Sequence, residues 1–112
     1  MKSPISTHVL DTSRGVPAKG IRVRLERKSK TGWSTVGTGV TDSDGRCTTL
    51  VRSRLSNGVY RLTFETGRYF RTLRVKAFFP YVTTTFHITS TTSHYHIPLL
   101  LSPYGYTTYR GS

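Results

Sequence analysis

His94 and His96 stand two residues apart at the head of a run that ends in Tyr109-Arg110-Gly111-Ser112 and gathers tyrosines, an arginine and serines into the last nineteen residues. Imidazole titrates near neutral pH without help, so it can take a proton from water or return one. On a strand the two rings point to one face. There they can act as base and support, or hold a metal with a third ligand such as His8 or His87. The further close-spaced Cys, His or carboxylate ligands typical of zinc sites are absent, so the metal signal is weak. A plainer alternative leaves both rings on a solvated face while Tyr95, Ile97 and Leu99 fill the core. Tyr104, Tyr106 and Tyr109 can stack on a flat heterocycle or pack as sheet residues. Ser112 has a hydroxyl, and as a nucleophile it would need a histidine as partnering base.

Two further residues suit the same chemistry. His8 lies in Ser6-Thr7-His8-Val9-Leu10-Asp11, where alternation turns Thr7, Val9 and Asp11 one way and Ser6, His8 and Leu10 the other. A lone strand histidine is usually only half exposed; with company it becomes a general base or a substrate ligand. Arg46 follows Asp44-Gly45 at a turn exit. Most turn arginines are simply solvated, but a planar fork projecting from a rigid frame can grip a carbonyl-rich or anionic ligand through paired hydrogen bonds.

The elements that must position these residues read as short strands. Residues 5–11, 21–28, 33–41, 59–66, 81–90, 94–101 and 104–110 alternate or are β-branched, with turn chemistry between them, and predict an antiparallel sandwich of about eight strands. Residues 14–20 read as a loop, Asn57-Gly58 as a turn, and residues 67–76 as one short helix carrying Phe70 and Leu73. The 112 residues suffice for a single all-β domain, 1–112. Cys47 is the only cysteine, so no disulfide forms within the chain.

Seventeen Lys and Arg against five Asp and Glu give a formal charge of +12, which attracts anions in general. In Ile21-Arg22-Val23-Arg24-Leu25 the basic residues occupy alternate positions, as on the solvent face of a strand. Zinc-finger, helix-turn-helix and RNA-recognition patterns are missing, so no specific nucleic-acid partner is expected. No eighteen apolar residues run together and the first residues lack a signal-peptide stretch, so neither a membrane partner nor secretion is expected. The expected location is cytoplasmic, or peroxisomal if a targeting segment lies outside this sequence. Arg110-Gly111-Ser112 is not an SKL-type ending.

Taken together, STHVLD (6–11), DGR (44–46), FETGRYF (64–70), HYHIPLLLSPYGY (94–106) and the closing YRGS resemble the transthyretin-like family, and within it the 5-hydroxyisourate hydrolase branch. The resemblance implies a transthyretin-like two-sheet sandwich, assembled as a homotetramer with active sites in clefts where dimers meet. It implies hydrolysis of 5-hydroxyisourate to 2-oxo-4-hydroxy-4-carboxy-5-ureidoimidazoline, a ring opening that follows urate oxidation and needs no metal or organic cofactor. His8 and His96 would then activate water and shuttle its proton, while Arg46 grips substrate oxygens and the developing negative charge. Tyr109 and Ser112 would orient substrate and imidazoles, and His94 would support His96. Which histidine is the base, and whether Ser112 or water attacks, stay open. The alternative is a noncatalytic transthyretin-like carrier of small aromatic ligands, against which the histidines and YRGS weigh.

Overall fold

Alternation with a period of two gives each strand one apolar side, and two sheets close those sides on each other. The computed structural model describes residues 3–112. The first sheet contains β1 (Ile5–Asp11), β2 (Val16–Pro17), β5 (Arg46–Cys47), β8 (Tyr95–Ser102) and β9 (Gly105–Thr108), in the order β2-β1-β8-β9, with β5 also on β1. The second contains β3 (Arg22–Ser29), β4 (Gly32–Val40), β6 (Gly58–Phe64) and β7 (Val82–Ile88), in the order β4-β3-β6-β7. Ile5, Val9, Leu99 and Leu101 from one sheet meet Val23, Leu25, Leu62 and Phe64 from the other, all buried. Burying each such side chain contributes about 1.5–3 kcal/mol.

Three expectations change. β1 and β8 pair in parallel, with Ser6 opposite His96 and His8 opposite Pro98, so the sandwich is not wholly antiparallel. Most of the chain separates these two strands, and no hairpin turn imposes their direction. The nine strands among the described residues include β2 and β5, two-residue pairings onto one edge of β1 that are too short to show a period. The helix α1 runs over Thr66–Thr72 rather than 67–76. Arg74 takes a left-handed φ of 57°, and Val75 N–H returns to the Phe70 carbonyl at 2.9 Å, a close that ends the helix early.

α1 is tied to the first sheet through a buried acid. Tyr69 Oη donates to Asp11 Oδ2 at 2.8 Å, while Asp11 Oδ1 accepts from Ser13 Oγ at 2.6 Å and from the Ser13 and Arg14 amides. Burial, with Asp11 alongside, raises the Tyr69 pKa. This anchors the end of β1, the strand that carries His8.

Candidate active site

The inward residues of β1 fill the core, which leaves Ser6 and His8 on the opposite face of the same sheet. Parallel pairing with β8 sets His96 beside Ser6, and His94, just before β8, reaches the same hydroxyl. Ser6 Oγ lies 2.9 Å from His94 Nε2 and 2.8 Å from His96 Nδ1, while His94 Nδ1 lies 3.0 Å from the Ser3 carbonyl. A carbonyl only accepts, so His94 Nδ1 carries a proton and, in the neutral ring, Nε2 is an acceptor. Ser6 therefore donates to His94 and accepts from His96 Nδ1–H. The chain of bonds leaves the lone pair of His96 on Nε2, where it can take a proton.

His8 is fixed from the other side. Its Nε2 donates to the Asp44 carbonyl at 2.9 Å, which leaves its own lone pair on Nδ1. Asp44 belongs to a tight turn in which Asp42 Oδ1 accepts the amides of Asp44 and Arg46 at 2.9 and 3.0 Å. Those bonds, the Arg46 amide first, hold the Asp42 carboxyl below its ordinary pKa. Gly45 has φ +76° and presses so closely on β1 that an added Cβ would lie 2.3 Å from the Val9 carbonyl oxygen. Only glycine fits there. The turn delivers Arg46 onto β5 directly opposite His8, with its guanidinium exposed.

The proton affinity of His96 is displaced. Partial burial lowers its pKa, and the positive field of Arg46, His8 and His94 pushes the same way, against a smaller opposing interaction with the Ser6 backbone. The ring is thus held neutral near pH 7, as a base requires.

The tail returns to the same place by a different residue than expected. Gly111 bridges to His96, its amide donating to the His96 carbonyl at 2.7 Å. An added Cβ on Gly111 would come within 2.6 Å of His96 Cδ2, so the glycine backbone forms one wall of the imidazole's seat. Tyr109 and Ser112 stay exposed. Among the described residues neither side chain has a hydrogen-bond partner. Arg110 turns away and lies over the Tyr95 ring at 4.4 Å. Tyr95 also accepts the amides of Thr89 and Ser90 at 3.2 and 3.0 Å. His87 sits on β7 of the second sheet, opposite Val59, and cannot join His94 and His96 as a ligand.

Within one chain, then, Ser6, His8, Arg46, His94 and His96 converge on one sheet face, while Tyr109 lines a separate pocket with Phe86, His87, Tyr95 and Arg110 and Ser112 lies exposed beyond Gly111. Ser6 and Gly111 carry no signal by residue type, since serines and glycines are common. Ser6 shares the outward parity of His8, which is the one feature that could have marked it.

The chain matches the model of the HIUase/Transthyretin family over residues 5–111. It is 49% identical over 109 residues to the 5-hydroxyisourate hydrolase of Salmonella dublin, covering 96% of this chain and 80% of that protein. Its fold matches the 5-hydroxyisourate hydrolase of Klebsiella pneumoniae with a TM-score of 0.88 at 39% identity, over 96% of this chain and 97% of that one. The transthyretin of Sparus aurata matches with a TM-score of 0.92 at 31% identity, over 97% of each chain. Because the family match runs unbroken through β1, the Asp42–Arg46 turn, β8 and Gly111, the chain belongs to the HIUase/transthyretin family.

Proposed function

We propose that the chain hydrolyses 5-hydroxyisourate to 2-oxo-4-hydroxy-4-carboxy-5-ureidoimidazoline, with His96 as the base. One observation carries this assignment. The Ser3–His94–Ser6–His96 chain of hydrogen bonds places the His96 lone pair on Nε2, on the face shared with His8 and Arg46.

In this reaction a water molecule forms a bond to a ring amide carbonyl as His96 Nε2 takes its proton. Arg46 is permanently charged and meets the oxygen on which negative charge develops. Collapse of the adduct breaks the ring C–N bond, and the nitrogen leaves with a proton returned by an imidazolium. His8, opposite Arg46, is placed to orient the substrate and share that proton. Water is favoured over Ser112 as the nucleophile, because the Ser112 hydroxyl has no histidine partner among the described residues.

The site is an open face in the single chain. The larger cavities, of about 700 and 450 Å³, are lined by other residues. A flat substrate needs a second wall, and assembly as a homotetramer would supply it from a neighbouring copy. That copy could also give Tyr109 and Ser112 the partners they lack here.

The test is direct. With freshly oxidised urate as substrate, purified protein should remove 5-hydroxyisourate absorbance far faster than spontaneous decay. A rate equal to the spontaneous one, from folded protein, would overturn the proposal. The match to a transthyretin fold keeps a carrier reading in view, and tight binding of an aromatic ligand without turnover would favour it.

A further inference from the structure

We propose that the outer face of the second sheet holds a binding site for a compact polyphosphate anion, separate from the histidine face. A groove of about 700 Å³ there is lined by Arg22 and Arg24 of β3, Arg68 and Arg71 of α1, and Thr38 of β4, with Glu65 the one acidic residue on its wall. Arg22 and Arg24 are two apart on a strand and face the same way. Arg68 and Arg71 are three apart on a helix and do likewise. Two pairs of guanidinium groups therefore share one depression, four positive charges against one negative.

Arg22, Arg68 and Arg71 have no ion-pair partner among the described residues. Glu26 is taken by Arg61, whose Nε approaches Oε1 at 2.8 Å. Arg24 Nε makes a longer ion pair with the same oxygen at 3.5 Å, and its side chain is still 43% exposed. The guanidinium fork matches the paired oxygens of a phosphoryl group. Arg22 and Arg24 are spaced about 7 Å along the strand, which suits a chain of phosphoryl groups better than a single one. The volume lies in the range of small-molecule sites. The opposite sheet face carries Ser6, His8, Arg46 and His96, so the groove is independent of the hydrolase assignment.

Inorganic triphosphate is the probe, followed by calorimetric titration at low and at moderate salt. One saturable site per chain is expected. Arg22→Ser/Arg68→Ser, which takes one exposed arginine from each wall, should weaken it by about tenfold or more. Lys19→Ser/Lys30→Ser removes the same charge elsewhere on the exposed surface and should change affinity by less than about twofold. Adenosine triphosphate binding as tightly as triphosphate would assign the site to the phosphate chain, and tighter binding would assign it to a nucleotide. Three results would overturn the proposal: no saturation, equal losses in both double variants, or displacement of triphosphate by duplex DNA at far lower concentration. The last two would mark a diffuse basic surface instead of a built site.

Discussion

Replacing Ser6 by alanine removes the hydroxyl that holds His94 Nε2 at 2.9 Å and His96 Nδ1 at 2.8 Å. While His96 is neutral, its bond to Ser6 joins two uncharged groups. Once His96 accepts a proton, its Nδ1–H bond to Ser6 becomes charge-assisted, and such a bond is worth about 1.5–3 kcal/mol. The variant also loses the neutral bond, worth about 0.5–1.5 kcal/mol, so the loss specific to the charged state is about 1–1.5 kcal/mol and, at about 1.4 kcal/mol per decade, kcat should fall roughly 5- to 12-fold. The fold should survive, since both imidazoles keep some exposure to water. The pH profile separates this role from a merely structural one. The Ser6 hydroxyl accepts from His96 Nδ1–H and so favours the charged ring; its loss should lower the His96 pKa further and move the acid limb of kcat/KM to lower pH. Ser6→Thr, which keeps a hydroxyl, should restore most of the rate. Adding His94→Ala to Ser6→Ala should cost less than about another twofold, because both act through one chain of bonds. Stopped-flow decay of 5-hydroxyisourate across a pH series measures all of this. Full kcat and an unmoved acid limb in Ser6→Ala would refute the reasoning.

Other perturbations read the remaining parts of the site and its support. Arg46→Ala removes a positive neighbour that depresses the His96 pKa, so the acid limb should move to higher pH while kcat falls by about 10²-fold or more; a limb that moves down instead would contradict the assignment. Gly111→Ala introduces a Cβ 2.6 Å from His96 Cδ2, and displacing the ring should slow turnover by about tenfold or more with little change in melting temperature. Tyr69→Phe strips the 2.8 Å donor from the buried Asp11 carboxylate and should cost about 1.5–3 kcal/mol in thermal or urea unfolding, with activity per folded molecule unchanged.

The sequence shows the site's parts more clearly than their assembly. The period of two in residues 6–11 correctly separates His8 and Ser6 from the core-facing Thr7, Val9 and Asp11, because strand parity is a local property. The meeting of Ser6 with His94 and His96 depends on a parallel register between strands at opposite ends of the chain. No local pattern encodes that pairing, so Ser6 stayed an ordinary strand serine. The turn 42–46 was legible from Asp44-Gly45, but the two-residue strand it feeds, and hence Arg46 opposite His8, was not. In the tail, the residue types pointed to Tyr109 and Ser112, whereas the contact made within the chain is by Gly111, which a census of reactive groups passes over. Alternation marks Arg22 and Arg24 as a solvent face, but only the fold brings Arg68 and Arg71 of α1 beside them.

Turnover at pH 7 with wild-type protein and His96→Gln side by side tests most directly the proposal that His96, held neutral and aimed by Ser6, activates water against 5-hydroxyisourate. The expected result is acceleration well above spontaneous decay by the wild type and a loss of about 10²- to 10⁴-fold in the folded variant. Equal rates for the two proteins would contradict it.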